Sequence, residues 1–137
     1  VLHHARDLRQ LCREAARVLK PGGMLIATRE HVISRKEDLP AFLAAHPLHE
    51  LYGGENAYLL NEYRDAIGES GLVLTGVLNP YQSDINLFPE TLQSLKKNLA
   101  RRLRCPSILI PNFLLGKLGE RSHAPGRLYS FVASKHG

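Results

Sequence analysis

The chain has only two cysteines in 137 residues, Cys12 and Cys105. Two thiols cannot build the disulfide framework of a small secreted domain. Cys12 falls on the apolar face of a predicted helix, where a reduced thiol packs as a small hydrophobe. A reducing cytoplasm is therefore the expected compartment. Long apolar runs are also missing. A membrane-spanning helix needs about 20 consecutive apolar residues, and the most apolar stretch, 108–118, is interrupted by Pro111, Asn112, Gly116 and Lys117. No signal-peptide pattern, internal repeat or low-complexity segment is visible. Neither sign of charge dominates: 18 basic residues stand against 13 acidic ones, a formal net charge of +5. That balance permits an anionic partner without requiring one. The apolar fraction of 44% suits a globular core and excludes disorder.

Zinc-type spacing is absent too. Seven histidines are present, but His46 and His49 are separated by a stretch that Pro47 keeps from being a helix. No cysteine or carboxylate set accompanies them, so no metal site is expected.

What is there begins with residues 7–29. Leu8, Leu11, Cys12, Ala15 and Leu19 recur at helical spacing. Asp7 is placed to cap the helix, with Gln10 completing a capping box. Pro21, Gly22 and Gly23 stop it and reverse the chain. Met24 to Ala27 then forms a continuous apolar run, which predicts a strand covered on both faces. Ser34 and Glu37 predict a capped helix through Ala45, and 46–56 reads as a turn-rich loop. A helix over 60–70 carries the stripe Leu60, Tyr63 and Ile67. A strand over 72–78 follows, ended by Asn79 and Pro80. Residues 81–89 read as a loop, and Pro89 opens a helix to Arg104 with Leu92, Leu95, Leu99 and Leu103 on one face. Residues 105–127 read as irregular. Leu128 to Lys135 alternates, with Tyr129, Phe131 and Ala133 on one side.

Two segments together carry a resemblance. Leu-His-His at 2–4 and Arg-Val-Leu-Lys-Pro-Gly-Gly-Met-Leu-Ile at 17–26 resemble the second half of class I S-adenosylmethionine-dependent methyltransferases. In that family the first segment follows the fourth strand, and the second links a helix to the fifth strand. The resemblance implies an α/β fold: a partial Rossmann-like methyltransferase sheet with strands equivalent to five, six and seven. The last strand is antiparallel, and helices lie on both faces. It implies a single domain, 1–137, as the carboxyl-terminal half, with 79–125 an insertion covering the acceptor side. The glycine-rich cofactor loop of the family is not in this chain. Gly53-Gly54 and Gly116-x-x-Gly119 lack the flanking strand and helix of a cofactor cradle. The chain starts at Val1, and it is expected to be a fragment or an excised segment.

The resemblance also implies site residues. Leu2, His3 and His4 would line the methionine end of S-adenosylmethionine. His31 and His4 are the candidate proton acceptors. Arg29, Glu30 and His31 follow the carboxyl end of a strand, the edge where ligands bind in open α/β sheets. With Tyr52 and Tyr58 as an aromatic wall, they form the candidate acceptor site for a small-molecule or glycan-type acceptor. Alone, the chain is expected to be inactive or weakly active. The alternative is a non-enzymatic remnant that self-associates or binds anions. Lys96, Lys97, Arg101, Arg102 and Arg104 lie off the leucine face and form the candidate anion site. No aromatic residue is interleaved with them, so nucleic acid is not expected, while a membrane surface stays open. The first strand would lack its usual neighbour. An open strand edge predicts a homo-oligomer, or pairing with a missing amino-terminal half.

Overall fold

The order of elements follows the turns in the sequence. A computed structural model describes residues 1–137. A 3-10 turn over Leu2–His4 precedes α1 (Leu8–Val18). The Asp7 carboxylate accepts the Gln10 amide hydrogen at 2.9 Å, which caps α1. Gly22, at φ 75°, reverses the chain into β1 (Met24–Ile33). There follow α2 (Leu39–Ala44), α3 (Pro47–Tyr52), β2 (Tyr58–Leu59), α4 (Leu60–Glu69) and β3 (Leu72–Leu78). The chain ends with α5 (Asp84–Leu87), α6 (Leu92–Leu103), α7 (Asn112–Arg121) and β4 (Arg127–Lys135).

The strands are ordered β2-β1-β4-β3. β4 is antiparallel to both neighbours, so β1 and β3 run parallel with the last strand between them. β2 adds a short parallel pairing at Val32 and Ile33. α1 and α4 cover one face. Their Leu8, Cys12, Ala16, Tyr63, Ala66 and Ile67 pack on Ala27, Val32, Tyr129, Phe131 and Ala133. The alternation read in β4 holds, because Tyr129, Phe131 and Ala133 are the residues buried against that layer.

The other face is covered unequally. The short α5 packs against β1 and β4 there. Met24, Ser134 and Val73 are paired across three strands, as are Ile26, Val132 and Gly76. Met24 is 55% exposed and Ile26 62%. The expectation that β1 is covered on both faces is corrected: half of its apolar run faces solvent in this chain.

β1 also runs further than predicted, through a bulge. Ala27 pairs with Phe131 and Glu30 with Tyr129, so two residues oppose Ser130 alone. Arg29 takes up the extra residue at φ 58°. One inserted residue inverts the side-chain parity beyond it. Glu30 and Val32 thereby join Ala27 among the buried residues, while Ile33 packs in a second small core with Phe42 and Ala57.

Five local expectations are corrected. Residues 46–56 contain α3, because Pro47 sits at its first position, where the missing N–H is not needed. Residues 84–87 and 112–121 are helical rather than irregular. The long amphipathic helix starts at Leu92, where the Thr91 hydroxyl accepts the Ser94 amide hydrogen, rather than at Pro89. The Ser34–Glu37 box does not form: a 3-10 turn over Lys36–Asp38, in which Asp38 accepts the Arg35 amide hydrogen, leads into α2.

Within 79–125, Leu92, Leu95, Leu99, Ala100, Ile110 and Leu115 form a core of their own. The segment is tied to the sheet by buried amides. The Asn86 side chain donates to Leu78 O at 3.0 Å and accepts from the Ser130 hydroxyl at 2.6 Å. Asn79 donates to Gly116 O at 2.8 Å. A Cβ at Gly119 would lie 2.4 Å from the Asn79 side-chain oxygen. The Gly116–Gly119 pair therefore lets α7 dock on the Asn79 loop and is no cofactor cradle. No helix is long and apolar enough to cross a membrane.

Candidate functional site

The bulge in β1 decides the site. It turns Glu30 inward, where its side chain is fully buried. A buried carboxylate needs hydrogen-bond donors, and the amino-terminal 3-10 turn supplies them. The His3 amide donates to Glu30 at 2.9 Å, and His3 Nδ1 lies 2.6 Å from the same oxygen. Burial alone would raise the Glu30 carboxyl. The hydrogen bonds from the His3 side chain and from the backbone of His3 and Leu2 outweigh it and hold the carboxyl at about 2. Glu30 is thus ionised and accepts from His3 Nδ1–H. That leaves His3 Nε2 as the free nitrogen.

His31 is fixed in the same sense from the other side. Its Nδ1 lies 3.0 Å from Gly126 O, an acceptor only, so Nδ1 carries the proton. Burial pushes the His31 pKa down. The Gly126 hydrogen bond opposes this, and the neighbouring His3 and His46 push it further down. Gly126 is irreplaceable here: it sits at φ 71°, and a Cβ would come within 2.3 Å of the Phe42 ring. The imidazoles form a chain, with His3–His4, His3–His31 and His31–His46 ring centroids 4.1, 4.7 and 5.1 Å apart.

Glu55 completes the cluster. Gly53 and Gly54, at φ 66° and 79°, make the reversal that brings it in from the end of α3. Such angles suit glycine alone. The Glu55 side chain is 7% exposed, 3.7 Å from His3 Nε2 and 3.8 Å from His4 Nδ1. Its Oε2 is buried with no hydrogen-bond partner, and so is His46 Nδ1.

The candidate residues read from the sequence are divided by the structure. His3, His4, Glu30 and His31 come together. Leu2 does not line a site, because it is 3% exposed and part of the main core. Arg29 turns away to α5, donating to Ile85 O at 2.9 Å with its guanidinium over Phe88. It lines a depression of about 680 Å³ with Asp84, Ile85 and Phe88. Glu30 is an internal anchor rather than an acceptor contact. The tyrosine wall does not form: Tyr52 is 83% exposed, while Tyr58 packs edge-on to Tyr63 and donates to Ala5 O. Lys97, Arg101, Arg102 and Arg104 are exposed on or just beyond α6, with Lys96 half-buried. Leu103, Ile108, Leu109 and Phe113, in α6 and the stretch that follows it, are exposed as well. Sequence reasoning missed Glu55 and Gly126, and it set His46 aside because Pro47 was expected to break a helix that in fact begins there. The one signal for Glu55 was the glycine pair immediately before it.

Comparison with known proteins agrees with the architecture. A family model described as a methyltransferase domain matches residues 1–27, which contain both segments that carry the resemblance. No curated protein sequence matches the chain. The chain is similar in structure to a candidate sarcosine dimethylglycine methyltransferase from Galdieria sulphuraria. The identity is 20% and the TM-score 0.52, over 98% of this chain and 50% of that one. It is also similar to a candidate methyltransferase from Bacillus halodurans C-125, at 19% identity and TM-score 0.50, over 100% and 62% of the two chains. The chain thus spans about half to three-fifths of these neighbours. At such identities the likeness establishes the fold. It is the α/β fold of class I methyltransferases.

Proposed function

We propose that this chain is the acceptor-binding, carboxyl-terminal half of an S-adenosylmethionine-dependent methyltransferase. The observation that carries the reading is β4, antiparallel between two parallel strands, in a chain whose residues 1–27 match a methyltransferase-domain model. In this role the histidine cluster faces a small-molecule or glycan-type acceptor. His31, neutral near pH 7 with Nε2 unprotonated, takes the acceptor proton. His4, half exposed, is the other proton-accepting candidate. The enzyme's main work would be to hold acceptor and methyl donor in line.

The residues expected to hold the cofactor do not fit it by themselves. Leu2 is spent in the core and the His3 donors are taken by Glu30. Cofactor binding by this chain alone is therefore expected to be absent, and activity absent or weak. Calorimetric titration with S-adenosylmethionine and S-adenosylhomocysteine tests this. The expected result is no heat of binding to this chain and measurable binding to a polypeptide that also carries a glycine-rich loop. Micromolar binding to the chain alone would overturn the division of labour.

A second reading rests on α6 and its surroundings. Five cations, none in an ion pair, and four exposed apolar side chains lie on α6 and the stretch that follows it. That combination suits an anionic lipid surface better than a polynucleotide.

A further inference from the structure

We propose that His31, His46 and Glu55 form a binding site for a first-row divalent metal ion of the zinc class, with His3 Nε2 beside it. One potential ligand atom from each of the three lies within 4.8 Å of the others, although the residues come from β1, the start of α3 and the loop after it. A zinc ion with bonds of about 2.0–2.1 Å holds its ligand atoms roughly 3.3 Å apart. Closing that difference takes side-chain settling of up to about 1.5 Å between a pair of ligand atoms.

Two features set this cluster apart from ordinary packed histidines. The first is unspent bonding capacity. Glu55 Oε2 and His46 Nδ1 are both buried and both without a partner. Nearly all buried polar atoms are paired, and the nearest imidazole nitrogens lie 3.7 and 3.8 Å from Glu55, beyond hydrogen-bond range. A cation among these atoms satisfies both at once. The second is orientation. Metal-bound imidazoles donate their other ring N–H to a carbonyl or carboxylate. His31 does so to Gly126 O and His3 to Glu30, which makes Nδ1 the donor in each and leaves Nε2 as the nitrogen open to a metal. His4 is the weaker candidate, because its Nδ1 lies 3.4 Å from Gly54 O and its side chain is half exposed.

The donor set selects the ion. Two imidazoles and one carboxylate suit zinc, cobalt, nickel or iron(II), while magnesium and calcium require mostly oxygen. The site uses only residues of this chain and stands independently of the methyl-transfer reading. Occupied, it takes the His31 lone pair that a proton acceptor needs, so the two roles exclude each other at that nitrogen.

The test is titration of the metal-free chain with cobalt(II), read by visible absorption, and with zinc, read by calorimetry. One equivalent is expected to bind at micromolar strength or tighter. Glu55→Gln and His46→Ala should each weaken binding at least tenfold, and His136→Ala should leave it unchanged. In the unsubstituted chain, zinc should shift the imidazole NMR signals of His31 and His46 and leave those of His123 and His136 in place. This second readout does not depend on any variant folding. Absence of saturable one-to-one binding overturns the proposal. So does equal binding by the variants, or shifts confined to exposed histidines, the mark of an adventitious ion only.

Discussion

At the scale of single residues, Glu30 shows how one charge organises a neighbourhood. It is fully buried and ionised, and its oxygens hold the first residues of the chain onto β1. Its carboxyl is held at about 2, against an ordinary 4.5. A depressed carboxyl stabilises the fold fully above the ordinary value and loses that contribution as pH falls toward the folded one. The window is therefore about pH 4.5 down to 2, with a contribution on the order of 3 kcal/mol. Glu30→Gln should lower stability at pH 7 by an amount of that order, with the difference from the parent shrinking through the window. Urea unfolding at several pH values checks this. Two curves that fall in parallel from pH 5 to 2 would show that Glu30 is not the responsible group. Cys12 contrasts with it: burial and the Glu30 charge push its thiol up to about 11, which makes it a packing residue rather than a reactive one.

At the scale of elements, α6 has a cap, a buried stripe and a cationic end. Thr91 caps it. Leu92, Leu95, Leu99 and Ala100 bury one side, and Arg101 and Arg102 lie in its last turn. Cations there complement the helix dipole, worth typically 0.3–1 kcal/mol, so their presence alone does not require a partner. What dipole and solvation leave unexplained is the exposure of Ile108 and Phe113, at 89% and 68%. The expected outcome is co-sedimentation with vesicles containing about one-third phosphatidylserine. Neutral phosphatidylcholine vesicles should bind weakly, and the combined change Lys97→Glu, Arg101→Glu should abolish the difference, since each basic residue near such a surface contributes about 1 kcal/mol. Binding that ignores both lipid charge and these residues would remove the second functional reading. Tight, salt-sensitive binding to single-stranded nucleic acid instead would replace the lipid with a polyanion.

At the scale of the whole molecule, one half of the sheet is finished and the other is open. The face under α1 and α4 has fully buried Tyr63, Ile67 and Phe131, whereas Met24 and Ile26 face solvent opposite. β1 is paired with β2 at only two positions along its outer edge. Open strand edges and exposed apolar faces favour association. The isolated chain is expected to be a dimer or larger by light scattering at micromolar concentration. Ile26→Lys should raise its dissociation constant roughly tenfold or more, because burying such a side chain contributes about 1.5–3 kcal/mol. Its thermal stability should change little, since Ile26 is already exposed in one copy. A strictly monomeric parent chain would contradict this.

The sequence by itself determined the layout. Asp7 and the glycines after Pro21 mark α1 and its exit, the stripe of Tyr63 and Ile67 marks α4, and the alternation over 128–135 marks β4. These are local signals, set by capping, backbone freedom and periodic burial, so they are readable one segment at a time. The resemblance at 2–4 and 17–26 supplied the order of the sheet. Only the tertiary structure decided the site. A one-residue bulge at Arg29 inverted the parity of β1, buried Glu30, and separated Arg29 from the residue beside it. It also brought His3, His31, His46 and Glu55 together from segments spaced over more than fifty positions. Spacing along the chain could not foresee that cluster, because its members share no helix or strand period. They meet through packing of the amino-terminal turn, β1 and the α3 loop, and through a Gly126 carbonyl delivered from the far end of the sequence.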